Sequence, residues 1–109
     1  MTQFDVHRNT GRQREAIPYV VVVQSSLFGK YRRRVVIPLV RRSELGNSVA
    51  MTDSSLNPAF IIEGVEVVLH PLEIVSVATD QLGEKLTTLA QDGDLITDAL
   101  DELLTRAWG

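Results

Sequence analysis

The sequence predicts an antiparallel α+β domain, mainly β, with its strands first and one long helix last. Three observations predict it. β-Branched runs such as YVVVV and RVVI recur between turn residues through the first two thirds of the chain. The stretch AFIIEGVEVVL reads as two apolar strands joined at Glu63-Gly64, where glycine is free to take a positive φ. Beyond residue 80 the apolar period lengthens from that of a strand to that of a helix.

Taken in order, QFDVH alternates, puts Phe4 and Val6 on one side, and predicts the first strand. NTGRQRE is turn-like around Thr10-Gly11. IPYVVVVQ suits a strand buried on both faces, with Pro18, which has no N–H, at its entrance. SSLFGKY predicts a loop in which Gly29 supplies the special backbone geometry. YRRRVVIPL is a third strand that starts charged and turns apolar, and Pro38 predicts a strand end or a bulge there. Residues 41–58 have no clear period and read as a flexible loop or a small extra ribbon. After the hairpin, HPLEIVSVA supplies a strand through Ile74, Val75 and Val77.

DQLGEKLTTLA then predicts a helical turn or short helix that breaks near Gly93. Asp92 is placed as an N-cap and Asp94 in the first turn, where the helix dipole favours an acid. Ile96, Ala99, Leu100, Leu103, Leu104 and Ala107 follow at i, i+3, i+4 spacing. Asp94, Asp98, Asp101 and Glu102 fall mostly on the opposite, wet side.

The 109 residues fit a single domain, 1–109, and their 44% hydrophobic content supports one modest core. So small a domain gains from oligomerisation. It has no cysteine, which excludes disulfides and thiolate metal sites. No apolar run approaches the roughly 20 residues of a membrane span, and MTQFDVHRN lacks a signal-peptide core, so a cytoplasmic location and no membrane partner are expected.

Charge is polarised along the chain. Residues 1–42 carry nine Arg and Lys against Asp5 and Glu15, whereas residues 43–109 carry Lys85 and Arg106 against twelve acids. Such asymmetry marks a nucleic-acid or acidic-partner surface, or two halves that complement each other within the fold or across a dimer.

Enzyme motifs are absent: there is no Gly-rich phosphate loop, nucleophile elbow or His pair at ligand spacing. Neither catalytic residues, metal nor cofactor is therefore expected, and His7 and His70 read as a strand-end and a turn histidine. Glu63 and Glu66 read as solvated charges beside a turn. Within Arg32-Arg33-Arg34, strand alternation puts Arg32 and Arg34 on one face and Arg33 on the other. Such a run holds phosphates or carboxylates, or else keeps a strand end from aggregating. Few aromatics lie nearby, which argues against a base-stacking surface and sequence-specific nucleic-acid binding. The lone tryptophan, Trp108, is either a plug for the core or an outward anchor.

Several blocks, in order, resemble the CcdB family of toxins: QFDVH, VVVVQSSLF, RRRVVIPL, NPAFIIEGVEVVLHPLEIVSV and a final amphipathic helix ending in Trp-Gly. The resemblance implies a homodimer of SH3-like β-barrels, each with a small side sheet and a C-terminal helix. It also implies a non-enzymatic toxin that binds the DNA gyrase A subunit, poisons the gyrase–DNA cleavage complex and is neutralised by a CcdA-like antitoxin. Trp108 and Gly109 match the family's gyrase-binding tail, Leu27 and Phe28 match an apolar pair near that surface, and Asp101 matches a polar helix position. The chain ends before the family's terminal Ile, and its last helix is about three residues longer. The basic half, through Arg12, Arg14, Arg32, Arg33 and Arg34, is expected to face the antitoxin. Two other readings stand beside this one: an endoribonuclease of the MazF type, using Arg32, Arg33, Arg34 and His7, and a module that binds antitoxin without poisoning gyrase.

Overall fold

The structure, a computed structural model, describes residues 2–45 and 55–105. Among these, seven strands form one antiparallel sheet: β1 (Asp5–Arg8), β2 (Tyr19–Val22), β3 (Arg33–Arg41), β4 (Ala59–Ile62), β5 (Val65–Leu69), β6 (Val75–Ala78) and β7 (Lys85–Thr88). The order is β4-β5-β3-β2-β1-β7, with β6 joined to β3 off that path. This curled half-barrel, closed by helix α1 (Gly93–Leu104), is the expected α+β architecture.

The nine-residue β3 is the spine. One edge pairs β2 from Val36 to Leu39, and the other is shared, with β6 along Arg33–Val36 and β5 along Leu39–Arg41. Pro38 sits in mid-strand rather than at an end. Its carbonyl accepts from the His70 N–H at 3.1 Å on the shared edge. A residue's N–H and C=O leave a strand on the same side, so proline's missing donor falls in the gap between β6 and β5 and interrupts no ladder bond.

The β4–β5 hairpin turns at Glu63 (φ 53°) and Gly64 (φ 77°), as the sequence predicts. Other local expectations do not hold either. Gly29 has an ordinary φ of −66°. The stretch predicted to be helical before Gly93 contains β7, which pairs β1 through Val6↔Thr87. The expected extra ribbon falls largely on residues 46–54, outside the described residues; Arg42–Leu45 form a 3₁₀ turn.

Val6, Tyr19, Val21, Ile37, Leu39, Val67 and Leu69 line the core, and Ile96 and Ala99 of α1 are buried against it. Complete burial of Ile96 contributes about 2 kcal/mol. Leu100 and Leu103 are half-buried, Leu104 is exposed, and Ala107 lies outside the described residues. Asp92 occupies the N-cap position without a side-chain cap bond. No helix among the described residues is long and apolar enough to cross a membrane.

Candidate functional site

Between β2 and β3 the chain forms a one-turn 3₁₀ helix, Ser26–Phe28. Ser25 Oγ accepts from the Leu27 N–H at 3.2 Å, which starts the turn as a serine does before a helix. Phe28 N–H donates to Ser25 O, Gly29 N–H to Ser26 O, and Tyr31 N–H to Phe28 O. The Gln24 carboxamide ties the turn to β3: its Nε2 donates to Phe28 O at 3.0 Å and its Oε1 accepts from the Val35 N–H at 3.0 Å.

Arg34 completes this frame. Its side chain turns inward and is 8% exposed. Nη2 donates to Gly29 O at 2.9 Å, while Nη1 donates to Arg33 O at 2.9 Å and to Tyr31 O. The frame presents three apolar side chains outward: Leu27 is 87% exposed, Phe28 51% and Tyr31 67%. The Phe28 and Tyr31 rings pair in a tilted arrangement with centroids 6.3 Å apart.

The other arginines of the run follow this tip directly in the chain. Arg32 precedes β3, so strand alternation does not apply to it, and it is exposed while Arg34 is buried. Arg33 reaches across to β6, donating from Nε to Ser76 Oγ at 2.8 Å and from Nη2 to Ser76 O at 2.7 Å. Next to Ser76, Val75 lines a groove of about 760 Å³. Val20, Pro38, Leu72, Ile74 and Ile17 line it as well, together with Arg12 and Glu73. Arg14 is exposed and donates weakly to Gly11 O at 3.5 Å.

Asp101 is half-buried on α1, and its carbonyl accepts from both the N–H and Oγ1 of Thr105 at 2.8 Å. Trp108 and Gly109 lie outside the described residues. The structure thus gathers Leu27, Phe28 and Arg34 into one unit and sets Arg12 and Arg33 beside one strand. His7 is 5% exposed in β1, its Nδ1 2.9 Å from Gly83 O. Among the described residues no group of three or more His, Asp or Glu side chains is placed to hold a metal ion.

A model of the CcdB protein family matches residues 3–106. The chain belongs to the CcdB family. The match takes in every strand and the helix described above, so the whole sheet, rather than one motif, carries it. Comparison with curated proteins gives no significant match. In this CcdB-family chain, reading the sequence picked out Leu27, Phe28 and the arginine run but missed Gln24, Ser25 and Tyr31. The Gln-Ser pair ahead of an apolar dipeptide was the available signal, since serine and glutamine side chains order short turns.

Proposed function

We propose that this CcdB-family chain is the toxin of a type II toxin–antitoxin pair, acting in the cytoplasm as a homodimer by binding rather than catalysis. Its target is the DNA gyrase A subunit, whose cleavage complex with DNA it poisons. The observation that carries this reading is the family match over residues 3–106. The outward Leu27-Phe28 pair supports it, because contiguous large apolar side chains held in the open suit protein contact. Trp108, Gly109 and Asp101 complete the proposed gyrase contact.

A CcdA-like antitoxin takes an adjoining surface, and Arg32 and Arg33 lie where it meets the tip. Arg12 lines the largely apolar groove with Glu73, and Arg33 is bonded to Ser76 next to the groove's Val75. Arg14 and Arg32 add exposed positive charge, and Arg34 orders the loop that carries Arg32. An extended, acidic chain with apolar residues at intervals matches that combination. The ribonuclease reading gains less support. His7 is buried, and the Arg34 guanidinium is engaged with carbonyls rather than open to a phosphate.

Expression of the full chain in gyrase-sensitive bacteria, beside a version lacking Trp108 and Gly109, tests the proposal. The intact chain should kill, and killing should disappear with the tail. Equal toxicity of the shortened chain rejects the tail contact, and RNA cleavage by purified protein without gyrase rejects the binding-only reading. A harmless intact chain that still binds antitoxin favours a module without the gyrase activity.

A further inference from the structure

The Leu27–Tyr31 tip combines three features that a solvated loop does not need together. It exposes three large apolar side chains within five residues. Side chains of Gln24, Ser25 and Arg34 hold it through hydrogen bonds to its backbone. And one of those side chains is a guanidinium withdrawn almost completely from water.

The acceptors that Arg34 serves belong to Gly29, Tyr31 and Arg33, all exposed residues. Water satisfies carbonyls on exposed loops without help, so their solvation does not require a buried cation. What the arginine adds is a single loop conformation. Its planar fork reaches three carbonyls at once, which a lysine ammonium cannot do with the same geometry. Ordering an exposed apolar loop in the free protein has value when a partner would otherwise have to order it on binding. The flanking charges indicate the partner's chemistry: Lys30, Arg32 and Arg33 are all exposed beside the tip.

We infer that Arg34 is a positioning residue for partner binding: it locks residues 25–32 so that Leu27, Phe28 and Tyr31 form one preorganised anchor for an apolar recess rimmed by carboxylates. Tyr31 thereby joins the contact surface as its third apolar element, its ring buttressing Phe28. In naming gyrase A as the protein that offers this recess, the inference rests on the function proposed above.

The test uses the full-length protein and purified gyrase A subunit, with affinity read by titration calorimetry. Amide hydrogen exchange over residues 25–33 of the free protein reads loop order. Arg34→Lys should speed exchange across the tip at least tenfold and weaken binding at least tenfold at temperatures well below its melting point. Tyr31→Ala should weaken binding several-fold while leaving the melting temperature unchanged. Combined with Leu27→Ala, Arg34→Lys should cost less than the sum of the two separate losses, because both act through one anchor. A purely structural Arg34 lowers the melting temperature but leaves affinity intact, and that result overturns the inference; so do strictly additive losses. Should Arg34→Lys fail to fold, Gln24→Ala loosens the same turn from its other side and is expected to reproduce both effects. If the unaltered protein does not bind gyrase A, the gyrase reading fails. The exchange measurement then decides the clamp alone, and unchanged exchange in Arg34→Lys rejects it.

Discussion

The Phe4 ring lies directly against the backbone of Gly93, where α1 begins: a Cβ added at Gly93 would come within 2.7 Å of Phe4 Cε2. Phe4 is held in the left-handed region at φ 72°, its N–H donating to Val22 O and its C=O accepting from the Leu89 N–H. The ring therefore has little freedom to withdraw. Alanine is the better helix former by up to about 1 kcal/mol, yet overpacking costs about 1–3 kcal/mol. Gly93→Ala should accordingly destabilise the protein in urea titrations, and the same substitution in a Phe4→Ala background should be neutral or stabilising.

Glu63 occupies the first position of the β4–β5 turn with φ 53°, a geometry that asparagine or glycine adopts more readily. Its carboxylate accepts from Tyr19 Oη at 2.9 Å and pairs with Arg8 at 3.2 Å. Tyr19 is buried, and burial together with the Glu63 carboxylate pushes its hydroxyl pKa up. Glu63→Asn alone should be close to neutral, the gain in turn geometry offsetting the weakened bond to Tyr19. In a Tyr19→Phe background it should stabilise by about 0.5–1 kcal/mol in thermal unfolding. An identical effect in both backgrounds would refute the coupling.

Asp5 is 2% exposed, and burial works to raise its carboxyl pKa. Hydrogen bonds from the Thr2 N–H at 2.9 Å and Oγ1 at 3.0 Å, with Lys85 Nζ 3.6 Å away, outweigh that and hold it below the usual carboxylate value of 3.8. A carboxyl lowered on folding stabilises above its unfolded pKa, and the contribution is lost as pH falls through the folded value. Stability should thus decline below about pH 4 more steeply in the natural protein than in Asp5→Asn. At pH 7, Asp5→Asn should cost about 1–2 kcal/mol.

The proposed antitoxin surface is exposed and basic, so its pairing with an acidic partner should be screened by salt. Raising sodium chloride from about 0.05 to about 0.5 M shortens the screening length and should weaken antitoxin binding at least tenfold. Arg12→Ala and Arg33→Ala should each flatten that dependence. Affinity that does not change with salt would remove the arginines from the interface.

The sequence made the strand-then-helix order legible because those elements are set by local pattern. The Glu63-Gly64 hairpin and the Ile96/Ala99 stripe are the clearest cases. What escaped was fixed by partners distant in sequence. Lys85–Thr88 is too short to declare its period, and only its pairing with β1 makes it a strand. Pro38 looked like a terminator because nothing local reveals a seam between two partners on one edge. At the candidate site, Leu27 and Phe28 could be singled out by resemblance. The inward turn of Arg34 could not, since alternation along an isolated strand says nothing of a loop folding back over it.

The pairing of β1 with β7 also sets when this molecule can exist. His7 and Gly83, whose ring nitrogen and carbonyl meet, are 76 positions apart. At ribosomal speeds of about 5–20 residues per second, several seconds separate the synthesis of the two strands. Through that interval β1 has an empty edge, and the Phe4 carbonyl waits for the amide of Leu89. The sheet closes only once Lys85–Thr88 has left the ribosome, so β1 stays paired on one edge alone until a strand made seconds later reaches it.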